Sequence, residues 1–137
     1  MWRTRTIAVC GIALAILAGC GGSNLVPVEG TITLDGKPVT EGTIGMELVG
    51  GPKDFRLFSG ETDAAGHYVI RPFEHGGTGA VPGEYRVMIH TVNAPPGADE
   101  LTEIPKDPVP QEYQNGSKTL TVPEGGITNA DFAIKTR

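Results

Sequence analysis

Three histidines, His67, His75 and His90, are the side chains of this sequence best suited to ligate a metal or to move a proton near neutral pH. They fall in no ligand spacing. There is no H-E-x-x-H, and they stand apart beside a turn, in a glycine-rich stretch and on the outward face of a strand. They read as exposed histidines without partners. Asp54, Glu61, Asp63 and Glu74 carry the oxygen ligands that calcium prefers and would meet if loops gather at one end of the fold. The D-x-D-x-D spacing of an EF-hand loop is missing, so solvated turns are the expectation. Asp99, Glu100, Glu103 and Asp107, with Lys106 among them, read as a soluble loop. Gly76-Gly77-Thr78-Gly79 invites comparison with a phosphate loop, but no lysine follows and Pro82 stands where the third glycine belongs. Ser23, Ser59 and Ser117 lie in no G-x-S-x-G elbow. No catalytic residue, metal or cofactor is expected from these patterns.

The elements that would position these residues are strands. Val26, Val28, Gly30, Ile32 and Leu34 share one face and Glu29, Thr31 and Thr33 the other, the period-two mark of a half-buried strand. Asp35-Gly36 is a tight-turn pair, and Lys37-Pro38-Val39 leads to a second strand with Ile44, Met46 and Leu48 inward; the two read as a hairpin. A third strand spans about Arg56 to Thr62, with its facing left open because Leu57 and Phe58 are adjacent. Asp63 to Gly66 is a turn, after which Tyr68 and Ile70 point one way and Val69 and Arg71 the other. Beyond Pro82-Gly83, the strand from Glu84 to His90 sets Tyr85, Val87 and Ile89 inward, with Arg86, Met88 and His90 outward. Asn93 to Ser117 is irregular, and its five prolines exclude a regular helix or a central strand. Two short strands close the chain, with Leu120 and Val122, then Ala130, Phe132 and Ile134 inward. Seven short strands with Gly/Pro punctuation predict an all-β, antiparallel sandwich.

The N-terminus has the parts of a secretion signal: Arg3 and Arg5, an apolar run from Ile7 to Leu17, then small residues. The run is shorter than the roughly 20 residues of a membrane-spanning helix. An ordinary signal peptide that happens to contain Cys20, or a short membrane anchor, would share these parts. Leu17-Ala18-Gly19-Cys20, however, resembles the lipobox of bacterial lipoproteins. The resemblance implies cleavage before Cys20 and lipidation of Cys20, giving a signal peptide at 1–19, a lipidated tether at 20–24 and a folded domain at 25–137. Trp2 and Cys10 would be discarded and no free thiol would remain, which excludes disulfides and cysteine-ligated metals. Loss of Arg3 and Arg5 leaves nine basic against sixteen acidic residues, a formal charge of −7. That balance argues against nucleic acid as a partner. The expected partner is a lipid bilayer reached through Cys20, with other envelope proteins or polysaccharide as candidates beside it. The expected location is the cell envelope, facing the periplasm or the exterior. In a bacterium, Asn115-Gly116-Ser117 reads as a turn, although it has the form of a glycosylation sequon.

Val28-x-Gly30-x-Ile32, Asp35-Gly36-Lys37-Pro38-Val39, Thr62-Asp63-Ala64-Ala65-Gly66-His67-Tyr68 and Pro82-Gly83-Glu84-Tyr85-Arg86-Val87 follow the order seen in carboxypeptidase-regulatory-like domains. The chain from Val26 to Lys135 resembles that family, which implies a transthyretin-like (prealbumin-like) seven-strand sandwich and, usually, no catalysis. The hydroxyisourate hydrolase of the same fold ends in Tyr-Arg-Gly-Ser, whereas this sequence ends in Ile134-Lys135-Thr136-Arg137. Under the resemblance, Asp35, Gly36, Asp63, Gly66, Pro82, Gly83 and Tyr85 are turn and corner residues, with the Tyr85 hydroxyl available to bond backbone across its corner. The expected function is a non-catalytic, membrane-anchored binding or structural module; a loop-end carbohydrate- or calcium-binding module is the alternative. A small hydrolase has no constellation in its favour.

Overall fold

The first strand, β1 (Glu29–Leu34), buries Gly30 and Ile32 and leaves Thr31 and Thr33 partly exposed, as its alternation predicts. A computed structural model describes residues 24–51, 56–92 and 97–136 of the protein. Asp35 and Gly36, at φ 50° and 81°, turn the chain into β2 (Lys37–Pro38). Positive φ at both central residues is what a two-residue type I′ hairpin requires. The chain continues through β3 (Thr43–Leu48), β4 (Leu57–Glu61), β5 (His67–Val69), β6 (Arg71–Pro72) and β7 (Gly83–His90). The one-turn helix α1 (Gln111–Gln114), β8 (Lys118–Val122) and β9 (Phe132–Ile134) follow. One sheet is built around β1, with β2, β5 and β9 as its partners; the other has the order β6-β4-β3-β7-β8. The all-β expectation holds. Buried side chains of both sheets, among them Ile32, Ile44, Tyr68, Tyr85, Val87 and Ile89, form one shared cluster. The arrangement is β-sandwich-like.

Seven expected strands become nine because two of them are divided between the sheets. The expected hairpin of the first two strands is one correction: of the second expected strand only Lys37–Pro38 pairs with β1, and β3 belongs to the other sheet. Placed beside β1 in one layer, Ile44 and Met46 would leave the apolar face of Ile32 uncovered; placed in the second layer, they cover it. Val39, 6% exposed, enters the core at the crossing, and the Gly42 N–H on the Thr62 hydroxyl (2.7 Å) opens the second sheet. The strand through Tyr68 and Arg71 divides in the same way at Ile70. Its N–H bonds Val28 O at 2.9 Å and its carbonyl accepts from Gly79 at 2.7 Å, after which the chain pairs with β4.

The fully antiparallel expectation is a second correction, since β9 runs parallel to β1. The cause lies in where the strands end. Val122 of β8 pairs with Gly83, at the pole where β1 begins. The turn from Pro123 to Gly126 then delivers Ile127 to Pro27 O (2.8 Å), so the last pass along β1 starts from the same end. In β4 it is Phe58 that turns inward, edge-on to Tyr85 at 5.5 Å between ring centroids, while Leu57 is 52% exposed. The Asn93 to Ser117 stretch does contain a helix, against expectation. Pro110 stands at its N-cap, where a missing N–H costs nothing.

Gly30 shows why the sheet around β1 closes so tightly. A Cβ at this position would lie 2.1 Å from the carbonyl oxygen of Ala130, so only glycine admits the chain leading into β9. The Tyr68 hydroxyl, in the buried interior, donates to that same carbonyl. The fold has two poles. Val26, Leu48, Leu57, Gly83 and Val122 mark one, and the Asp35-Gly36 turn, Gly42, the 62–66 turn and His90 mark the other.

Candidate functional site

The sheets meet along one side at β5 and β6, the end strands of the two, where a groove of about 520 Å³ opens beside β4. Ser59, Glu61, Asp63, His67 and Arg71 line it. Alternation along the strands puts them there: Ser59 and Glu61 point outward on either side of buried Gly60, and His67 points outward next to buried Tyr68. Ser59 and Arg71 are direct cross-strand partners.

Asp63 is largely occupied by its own turn. One carboxylate oxygen accepts from the N–H groups of Ala65 (2.9 Å) and His67 (3.0 Å), and Gly66 closes the turn at φ 75° by donating to Asp63 O. A Cβ at Gly66 would press on Ile32 O at 2.7 Å, so the position is closed on both steric and conformational grounds. His67 sits between two carboxylates, with Nε2 at 3.9 Å from Glu29 and Nδ1 at 4.0 Å from Asp63. At that range the imidazole feels charge without a direct hydrogen bond. The groove thus offers a hydroxyl, a guanidinium, an imidazole and carboxylates on one shallow wall, which suits hydrogen bonding to a polyhydroxylated ligand.

The four-carboxylate grouping does not form. Glu61 and Glu74 lie toward opposite ends of the β4–β6 pair, roughly 16 Å apart along the strand rise. Asp54 lies outside the described residues, as does Cys20. Among the described residues, no group of three or more His, Cys, Asp or Glu side chains is placed to hold a metal. His67 and His90 are not the unpartnered residues expected: His90 Nδ1 stands 3.8 Å from Asp107. His75 is on the exposed 73–78 loop.

Asp107 corrects the reading of the acidic stretch as a soluble loop. One of its oxygens accepts from Thr91 N–H (2.8 Å) and Val92 N–H (3.3 Å), the other from the Thr91 hydroxyl (2.7 Å) and Val109 N–H (3.0 Å). Burial pushes its carboxyl up, but the Thr91 hydroxyl and the three backbone N–H groups together hold it below the usual carboxylate range. The long segment after β7 is clipped to the end of that strand and drops Val109, 3% exposed, into the core. The bond to Val109 N–H is local, but no local pattern signals the clip itself, because its partners Thr91 and Val92 are 16 and 15 residues away in sequence. Asp35 has a second role of the same kind: it accepts from the N–H (2.9 Å) and hydroxyl (2.7 Å) of Thr136, and the hydroxyl bond first, then the N–H, lowers its pKa.

Tyr85 donates its hydroxyl to Val81 O at 2.6 Å across Pro82-Gly83. Burial pushes this phenol up to about 12, against the smaller opposing pull of that bond. No family model, curated protein or solved structure matches the chain.

Proposed function

We propose that this chain is a non-catalytic lipoprotein module of the bacterial cell envelope, anchored through lipidated Cys20 and built as a transthyretin-like, carboxypeptidase-regulatory-like sandwich. The observation that carries the reading is the closeness of the anchor motif to the fold. Among the described residues, backbone pairing begins with the Val26–Ala80 bridge, only six positions after Cys20 in Leu17-Ala18-Gly19-Cys20. The fold reading is supported by the seven expected strands mapping onto the nine observed through two sheet crossings, with the quoted motifs at the turns. In this role the Asp107-clipped segment, displayed at the pole away from Val26, and the end strands are the contact surfaces for other envelope components. The test is Cys20→Ala expressed in a bacterium. It is expected to leave precursor or miscleaved protein and to lose partitioning into the detergent phase. Unchanged partitioning refutes the anchor.

The polar groove of Ser59, Glu61, His67 and Arg71 favours one second reading, a carbohydrate-binding module. Calorimetric titration with soluble envelope glycans tests it, with heat lost in Arg71→Ala as the expected result and no heat from the parent protein as the refutation.

A further inference from the structure

We infer that the pole at which the chain enters the fold lies against the bilayer, with Phe73, Leu57 and Val49 as its lipid-contacting side chains. The inference rests on the lipid-anchor reading and goes beyond it, because a tether alone leaves the domain free to face any way. Apolar residues exposed singly are ordinary, whereas adjoining ones mark an interaction or membrane-contact site. Phe73 is 66% exposed, Leu57 52% and Val49 46%.

Phe73 and Leu57 form one surface, and Val49 is exposed at the same pole. The Phe73 N–H donates to Leu57 O (2.9 Å), which makes them direct neighbours beyond the Phe58–Pro72 pair, and both face outward. Val49 stands in the turn just beyond β3, at the same pole, with its N–H on Glu84 O (2.9 Å). Among the described residues between them, Arg56 is ion-paired with Glu47.

The patch and the anchor share a pole. Val26 exchanges both backbone hydrogen bonds with Ala80, three residues before β7, and β7 begins beside the end of β3, where Val49 lies. Four residues, Gly21 to Asn24, separate Cys20 from Leu25, and they span at most about 14 Å. β7, with eight residues, extends roughly 26 Å from pole to pole. The tether is about half that length, so the near pole is the one held at the membrane. Among the described residues, the other exposed large apolar side chains, Leu101 (89%) and Ile104 (50%), lie in the segment that leaves β7 at the far pole, among Asp99, Glu100 and Glu103. An aromatic side chain beside aliphatic ones at the near pole suits the membrane interface.

The test uses the lipid-modified protein reconstituted into vesicles of phosphatidylethanolamine and phosphatidylglycerol. Trp2 is the sequence's only tryptophan and lies ahead of Cys20, so the cleaved protein carries no indole of its own. Phe73→Trp, Leu57→Trp and Leu101→Trp each introduce a single probe at an exposed site. Lipids brominated in the acyl chain are expected to remove most of the emission of the first two and to leave that of the third unchanged, with blue-shifted spectra for the first two only. Mass spectrometry of the N-terminal peptide separates the two levels of the argument. Lipid mass on Cys20 with the three probes quenched alike, or none quenched, overturns the docking and leaves the anchor standing. Absence of lipid mass overturns the anchor and the docking with it.

Discussion

Asp107→Asn isolates the carboxylate that ties the long segment to β7. The replacement keeps the size and one acceptor oxygen, but its NH2 must face either the Thr91 and Val92 N–H groups or that of Val109. The less costly orientation keeps the bonds to Thr91 and Val92, lets the Thr91 hydroxyl rotate to accept, and leaves Val109 N–H against a donor. One charge-assisted bond is lost and the others weaken, while water reaches part of the site; the expected cost is about 2 kcal/mol. For a domain of this length that lowers the melting temperature by roughly 8 °C. The effect must also depend on pH. Asp107 has a folded-state pKa below its unfolded value, so its contribution is complete above the unfolded carboxylate range and is lost as pH falls through the folded value. Thermal unfolding followed by circular dichroism at neutral pH and in acid, for parent and variant, measures both. The variant's deficit is expected to be full at neutral pH and to shrink in acid, with tryptic cleavage at Lys106 accelerated. A neutral-pH deficit under about 2 °C, or one that stays constant into acid, refutes the clip.

Val87, fully buried on β7, should not tolerate Asp, which would place an unpaired charge in the core and leave no cooperative unfolding transition, whereas Arg86→Ser on the outward side should cost under about 1 kcal/mol; comparable melting temperatures for the two would refute the facing. Gly30→Ala places a methyl 2.1 Å from Ala130 O and is expected to cost more than about 3 kcal/mol by forcing β9 from β1, read from urea unfolding. In alkali, Tyr85 titrates late: its folded pKa of about 12 lies above the unfolded value, so its share of stability is present below pH ~10 and is lost as pH rises through the folded value. Tyr85→Phe removes the bond to Val81 O and should cost about 1 kcal/mol at neutral pH, with the parent's advantage declining in strong base.

Alternation along the chain determined the strands and their inward faces by itself, because a strand turns successive side chains to opposite sides whatever surrounds it. Val28, Ile32, Ile44, Met46, Tyr85, Val87 and Ile89 are all buried for that reason. The Asp35-Gly36 and Asp63–Gly66 turns are legible on similar grounds, since residues tolerant of positive φ or able to bond the nearby backbone act locally. Which layer each strand joins is a different matter. A short apolar strand is equally content beside β1 or opposite it, and only the need to cover Ile32 sends β3 to the other sheet. The parallel course of β9 likewise depends on the pole at which β8 ends, and no residue in Phe132–Ile134 encodes that. Leu57 and Phe58 could not be assigned from their own positions, because both are apolar and the choice depends on Phe58 packing edge-on against Tyr85 on the inner face of the same sheet. The polar residues divide in the same way: the backbone bonds from the Asp63 carboxylate reach two and four residues along the chain, and its motif is visible. Asp107 reaches back 16 residues and Asp35 forward 101, contacts that exist only once the layers have closed.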